Sequence, residues 1–356
     1  MLIEKYLSLD YQSLPNVNIG DYIQVVASLN FLESEPSDLI ERDNMSVYGG
    51  GGYLIANCWY AHNNETFPVH TKADIKFISF HLNTKVGELL LSDNENVEFL
   101  KNLGPVGCRD YQTVEVLSKA GIEAYFSSCL TTTLGLMEAN EKLDKERSRI
   151  CVTDVVSTLP ARSFVGKITE FSRLFLFSIF KIPLILDILC KLKKNQPMEM
   201  KLSAKRYVSR LLYAVRTAFV VDQLFDKADL HLCDYYQHNF TAQDLSTRLL
   251  RLSYAKFLLH RYATAKLVVS SRIHCCLPSL SYYTPNLYLQ QTNDPLESRC
   301  RKSGLLNLLN VVEMNGLKIL NAQNFKSQIV KLDVQVRTEF ISYARKMIET
   351  LKSRKH

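Results

Sequence analysis

The sequence predicts an α/β protein built on parallel sheets and arranged as two domains. Three observations lead there. Short apolar runs alternate with helical patterns, and that alternation folds as parallel strands joined by crossover helices. The chain has 356 residues, room for about two domains at roughly 150 residues each. A charged, helix-breaking stretch at 140–149 separates two such alternating regions and reads as a linker. The expected division is 1–148, 149–332 with a helical segment at about 160–225, and 333–356 as a last helix with a basic tail.

The elements follow in order. Residues 22–31 have a helical pattern. Residues 45–48 read as a short strand running out into Gly49 to Gly52, and 76–80 as a strand ending at His81. Residues 94–103 and 111–120 read as helices, the second closed by Gly121 at a C-cap position. Residues 122–126 and 150–156 read as strands, and 161–220 as basic and helical. Then come a strand at 228–233, a long amphipathic helix at 245–262, strands at 266–270 and 285–289, and a final helix at 334–351.

Composition narrows the class. Hydrophobic residues are 47% and charged residues 22%, ordinary for a globular protein, which excludes a disordered chain or a collagen. Lys and Arg total 43 against 36 Asp and Glu, a net charge of +7. No nucleic-acid motif accompanies that charge, so no nucleic-acid partner is expected. It suits anionic small molecules, anionic glycolipids or a membrane surface. Nine cysteines without a CxxC pair read as free cytosolic thiols packed as small apolar residues. They lack zinc-type spacing, so no metal is expected. The N-terminus has no signal-peptide pattern, and a cytoplasmic protein is expected. The apolar stretch 174–190 is broken by Lys181, Pro183 and Asp187, too interrupted for a membrane span. With Arg162, Lys167 and Arg173 before it and Lys191, Lys193 and Lys194 after it, it suits either a core helix or one lying on a membrane surface.

Ligands of open α/β sheets bind at the carboxyl ends of strands, so polar residues there are the candidates. Asn18, Ile19, Gly20 and Asp21 lead into a helix. Gly20 permits close backbone approach and the helix start attracts anions, although a plain turn with an N-cap also fits. Gly50 and Gly51 lie in the four-glycine run, which suggests backbone passing close to a ligand or a facing domain. That run lacks the GxGxxG spacing of a dinucleotide site. Arg109 follows a short strand and opens a helix, a suitable clamp for phosphate or carboxylate, with Asp110 as helix cap. The apolar run 267–269 leads straight into Ser270, Ser271, Arg272, Ile273 and His274. If extended, Arg272 and His274 point to one side, a guanidinium for an anion beside an imidazole able to donate a proton. His81, and Ser127, Ser128 and Cys129, are further cleft candidates at strand ends.

These segments, in this order, resemble the polysaccharide pyruvyl transferase family. The matching pieces are Asn18 to Asp21, Gly49 to Gly52, Gly107 to Asp110 with Thr113, and Ser271 to His274 with Pro278, Thr284 and Pro285. The resemblance implies two facing Rossmann-like domains similar to GT-B glycosyltransferases, with a helical insertion in the second half and a last helix returning to the first domain. It implies transfer of a pyruvyl group from phosphoenolpyruvate to a sugar as a cyclic ketal, in surface or capsular polysaccharide assembly. The first domain would face the acceptor and the second the donor. Arg109 and Arg272 would bind the donor, with Asn18, Gly20, Gly50, Gly51, His81 and Ser271 around the substrates. His274 would be the general acid and Asp21 the base. No cofactor is implied beyond phosphoenolpyruvate as co-substrate. The acceptor would be a glycan, often lipid-linked, and 161–194 would suit peripheral membrane contact. Where the family has a small residue, Asp and Pro after the 122–126 strand, this chain has Ser127, Ser128 and Cys129. A nucleotide-sugar glycosyltransferase and a non-catalytic glycan-assembly protein are the alternatives.

Overall fold

A computed structural model describes residues 5–12, 14, 16–60, 71–137, 147–156, 164–197, 204–320, 322 and 334–353. Most of the expected linker, 140–146, lies outside the described residues, as do Arg354 and Lys355 of the basic tail.

The fold is mixed α/β with parallel sheets. In the first sheet, β1 (Tyr6–Asp10) is central, with β2 (Asp38–Glu41) on one side and β3 (Gly51–Ala56) then β4 (Lys72–Phe77) on the other. All three pairings are parallel. In the second sheet, β5 (Ile150–Thr153) is flanked by β6 (Cys233–Tyr236) on one side. On its other side lie β7 (Leu267–Ser270), β8 (Asn286–Gln291) and β9 (Val311–Asn315), all parallel, closed by the antiparallel β10 (Lys318–Ile319). Strand order reverses beside β1 and beside β5. Reversals of this kind open a crevice at the carboxyl ends of the strands.

Helix α1 (Ile19–Leu29) starts where Asn18 caps it, its Oδ1 accepting from the Gly20 N–H at 3.1 Å. Helix α2 (Tyr111–Lys119) is capped by Asp110, which accepts from the Thr113 N–H at 2.9 Å, and Gly121 beyond its end has φ +72°. The basic segment is three helices, α3 (Phe164–Phe180), α4 (Ile182–Lys194) and α5 (Ala204–Leu224). Pro183 in the first turn of α4 explains why the long apolar stretch is two helices. No helix among the described residues is long and apolar enough to cross a membrane. Helix α6 (Arg248–Ala263) precedes β7, α7 (Ile273–Ser281) follows it, and α8 (Phe340–Lys352) is last.

The two sheets are tied together by α6. Arg251 is 1% exposed and donates to the Tyr11 carbonyl at 3.2 Å and the Tyr22 hydroxyl at 2.8 Å. Arg248 donates to the Leu9 carbonyl and the Ser8 hydroxyl at 3.0 and 2.9 Å. One apolar core therefore joins the first sheet to Ala255, Leu258 and Tyr262 of α6, and a second lies beneath α3 to α5. Met347 and Leu351 of α8 return to the first core, with Ser79 Oγ 3.6 Å from Met347 Sδ. All nine cysteines are free and seven are buried, packing as small apolar groups.

Several expected elements differ. Residues 45–47 belong to a 3₁₀ helix, Arg42–Val47, that Tyr48 ends, and the Arg42 guanidinium donates to the Asp43 carboxylate at 2.8 and 2.9 Å. The glycine run therefore enters a strand rather than leaving one. The strand expected at 76–80 ends at Phe77, because Ser79 turns the chain with φ +56°. Residues 227–230 are a helical turn and β6 begins only at Cys233. Leu230 and Leu232 pack partly buried on the second core without a strand. The last helix begins at Phe340 rather than 334.

Candidate functional site

Both order reversals open onto one cavity of about 300 Å³. From the first half it is lined by Leu14, Asn18, Asp21, Gln24, Arg42, Trp59 and Arg109. From the second half come His238, the Ser271 to His274 turn, Gln291, Asp294, Arg301 and Lys302.

The second-half wall is set by β5 and β7. Their register places Thr153 opposite Ser270, so Asp154 and Ser271 leave the sheet side by side. Ser271 donates from its backbone and its hydroxyl to the Asp154 carbonyl, at 3.2 and 2.5 Å. Asp154 has φ +42°, a strained value for a non-glycine residue. Its carboxylate accepts from Arg272 Nε at 3.1 Å and from the His238 N–H at 3.3 Å. Arg272 is thus held in place by a partner that sequence reading missed. It caps α7 and His274 lies in the first turn of that helix, so the two are not alternate residues of an extended strand.

His274 is buried, and its Nε2 has no hydrogen-bond partner among the described residues. Burial, then the charges of Arg109, His238, Arg301 and Arg272, hold its pKa well below the usual histidine value. Gly20 is needed beside it, since a Cβ there would lie 2.8 Å from His274 Nδ1. His238 is fully buried against the Tyr262 hydroxyl at 2.8 Å and the Cys275 thiol at 3.2 Å, and burial lowers its pKa to about 4.

On the first-half wall, Arg109 is 3% exposed and leaves the short strand Val106–Cys108. Its Nε is buried without a partner, and no carboxylate pairs with it among the described residues. The same holds for Arg301. The other cations are matched: Arg42 with Asp43, Arg272 with Asp154, and Lys302 with Asp294. Lys302 also donates to Gln290 Oε1 at 2.9 Å. An unpaired buried guanidinium is costly, and an incoming anion relieves that cost. Asp21 sits in the first turn of α1. Burial pushes its carboxyl up, opposed by Arg42, Arg109 and Arg272. Gln24 Oε1 is a buried acceptor without a partner among the described residues. The cavity thus offers unused donors for an anion (Arg109, Arg301) and unused acceptors for hydroxyls (Gln24, His274). No group of three His, Cys, Asp or Glu among the described residues is placed to hold a metal ion.

Of the sequence candidates, Asn18, Asp21, Arg109, Ser271, Arg272 and His274 line the cavity together, with Gly20 packed behind. His81 does not. It is buried with Nδ1 2.6 Å from the Asp110 carboxylate and supports the helix that follows Arg109. Ser127 and Ser128 are buried beside that strand, Ser127 Oγ donating to the Cys108 carbonyl at 3.1 Å. Gly50 and Gly51 stand at the amino end of β3, the opposite edge of the sheet from the cavity. The close approach they signalled is internal: a Cβ on Gly52, at φ +137°, would lie 2.6 Å from the Lys5 carbonyl. Arg42, Trp59, Asp154, His238, Arg301 and Lys302 escaped the sequence reading. The polar residues after the 285–289 strand were a usable signal for Asp294, Arg301 and Lys302.

Among curated proteins no relative matches this chain. Among solved structures, α,α-trehalose 6-phosphate synthase from Burkholderia multivorans is similar at 9% identity and a TM-score of 0.31, over 93% of this chain and 74% of that one. That overlap is too loose to carry an argument. The family comparison is decisive. The model of the polysaccharide pyruvyl transferases matches residues 18–291, from the Asn18 cap through Arg109 and the Arg272–His274 turn to the end of β8, and the chain belongs to that family of transferases.

Proposed function

We propose that this protein transfers the pyruvyl group of phosphoenolpyruvate to a sugar as a cyclic ketal, in the assembly of a surface or capsular polysaccharide. The observation that carries this reading is the pair of unmatched guanidiniums, Arg109 and Arg301, on one cavity whose other cations all have carboxylate partners. A small donor bearing a phosphate and a carboxylate supplies the two missing partners. The two sheets, with order reversals facing one cavity, support a GT-B-like pair of Rossmann-like domains divided near residue 148.

In this mechanism Arg109, Arg301 and Arg272 bind the donor anion. His274 Nε2 protonates the methylene carbon, leaving an oxocarbenium-like C2. A sugar hydroxyl attacks C2 and loses its proton to Asp21. Inorganic phosphate then leaves, and a second hydroxyl of the same sugar closes the ketal as its proton is released. The sum is phosphoenolpyruvate plus a diol giving ketal plus phosphate, with no oxidant, reductant, metal or nicotinamide required. Gln24 and Asn18 supply polar contacts for the acceptor hydroxyls.

The depressed pKa of His274 belongs to this scheme. Before the donor binds, burial disfavours its proton most, and three arginines add to that. The donor's negative charge offsets the arginines and moves the pKa back upward, toward the charged form that the general acid needs. One observation favours a second assignment. The pKa of Asp21 is raised while that of His274 is lowered, the ordering expected if Asp21 brings the proton and His274 receives it. The pH profile of kcat in His274→Gln and Asp21→Asn separates the two.

The direct test is incubation with labelled phosphoenolpyruvate and a lipid-linked glycan extract. The expected product is a glycan carrying the pyruvyl mass on one sugar, with phosphate released in equal amount. Turnover of a nucleotide sugar in its place, or release of neither product, overturns the reading.

A further inference from the structure

Away from the cavity, the outer face of α3 to α5 is built unlike a solvent-facing surface. On α3, Ile168, Phe171, Phe175 and Ile179 recur every three or four residues, which puts them on one helix face, and all four are exposed. Leu176 and Phe180 widen that stripe, and Phe180 is 79% exposed. Ile182 and Leu186 continue it on α4, and Tyr207, Val208, Leu211 and Leu212 extend it on α5. Leu174 of α3 points the other way and is buried, so the helix is apolar on both sides. A helix that only covered a core would be polar outside, and patches of this breadth mark an interaction surface.

Charge identifies the partner. Residues 164–224 hold 11 Lys and Arg against 4 Asp and Glu, a surplus of 7 that equals the formal charge of the whole chain. The remainder of the protein is therefore neutral in sum. Part of that charge lies at the border of the stripe. Arg173 is exposed, its guanidinium 5.6 Å from the Phe219 ring centre, and Lys193 and Lys194 are exposed where α4 ends. Phenylalanine and aliphatic side chains bordered by Lys and Arg, on helices that do not span, have the chemistry of the interface of an anionic bilayer. The lysines at its border weigh against a protein partner, since lysine is depleted in such interfaces.

We propose that the α3–α5 face docks on an anionic lipid bilayer. It rests on the proposed function only for the reason to dock, delivery of a lipid-linked acceptor. Helix α5 joins the two places. Beyond its exposed residues comes Tyr213, whose hydroxyl accepts from the Asp154 N–H and donates to the Tyr236 carbonyl, both at 3.0 Å. Asp154 is the residue that holds Arg272. A bilayer on this face would lie against the helix that braces the donor wall.

The test is co-sedimentation of the full chain with vesicles of phosphatidylcholine, alone or with roughly one-third phosphatidylglycerol. The wild type is expected to pellet with the anionic vesicles and to be released by salt. Combined Phe171→Glu, Phe175→Glu and Ile179→Glu should weaken partitioning at least about tenfold. Lys193→Glu with Lys194→Glu should abolish the preference for anionic lipid. All five positions are exposed, and an unchanged melting temperature confirms folding. Wild type in the supernatant with both vesicle types, or variants that pellet like wild type, overturns the proposal. So does sedimentation velocity showing a wild-type dimer that the apolar variant makes monomeric without any vesicle binding. Phosphate release from phosphoenolpyruvate with a soluble sugar is measured alongside. Failure there strikes the proposed reaction and leaves docking standing, whereas failure to pellet with intact turnover strikes docking alone.

Discussion

Arg109 and Arg272 face one cavity from opposite walls and are prepared in opposite ways. Arg272 leaves β7 with Asp154 already on its Nε, and Asp154 is itself held in a strained backbone conformation. Arg109 is buried with its Nε unmatched. Arg272 is therefore oriented in advance, while Arg109, like Arg301 on the second-half wall, carries a charge that no carboxylate among the described residues compensates. Orientation and unmet charge are separate requirements for gripping a small dianion, and the molecule gives the first to Arg272 and the second to Arg109 and Arg301.

This contrast is open to attack by substitution. The largest effects are expected from Arg109→Ala and Arg272→Ala. Each should lower kcat/KM for phosphoenolpyruvate by about 10²- to 10³-fold, the usual loss for one charge-stabilising group. Their stabilities should diverge. Arg109→Ala removes an unpaired buried charge and should leave the melting temperature unchanged or raised. Arg272→Ala strands the Asp154 carboxylate and should cost about 1–3 kcal/mol. Equal destabilisation in thermal melts would erase the distinction between the two arginines.

Asp154→Asn should be milder. Asparagine tolerates the left-handed backbone, so the fold should hold while Arg272 loses its charged partner. The expected outcome is about a tenfold rise in KM for the donor with a smaller change in kcat, since a charge-assisted bond contributes roughly 1.5–3 kcal/mol. A change in kcat alone would place Asp154 in the chemistry instead.

Smaller again is the response to pH. Folded His238 and His274 have depressed pKa values, whereas in the unfolded chain they take up protons near 6.5. Stability from both is complete above about 6.5 and falls as the pH drops toward the folded values, by up to about 1.4 kcal/mol per pH unit for each. Melting at pH 7.5 and 5.5 should show the loss, and His274→Gln should remove part of it. Saturating phosphoenolpyruvate should also reduce it, because donor charge beside His274 offsets the arginines and raises its folded pKa. The smallest effect should come from Gly51→Ala. A Cβ there meets only the Lys72 carbonyl, at 3.9 Å, on the far edge of the sheet. Unchanged donor kinetics are expected, and a rise in KM would restore the glycine run to the site.

The sequence made much of this readable for a physical reason. Strands buried on both faces, such as β5 and β7, are short continuous apolar runs, and the polar residues that end them stand out. That is how Ser271, Arg272, His274 and Arg109 were found. Arg301 and Lys302 lie ten and eleven residues past the end of β8, and only the fold of the intervening segment, with its short helix Leu296–Cys300, brings them to the cavity. Asp154 looks like any turn residue until its register opposite Ser270 is known. The glycine run misled because close backbone approach has the same signature whether the neighbour is a ligand or the chain's own first strand.

On the proposed function, the unmatched arginines await a small dianion. A calorimetric titration of phosphoenolpyruvate into the wild type and into Arg109→Ala tests it most directly, with UDP as the control. Saturable binding of phosphoenolpyruvate to the wild type is expected, with binding at least about 10²-fold weaker to Arg109→Ala and none of UDP. Equal affinity of the two proteins for phosphoenolpyruvate, or tighter binding of UDP, would contradict it.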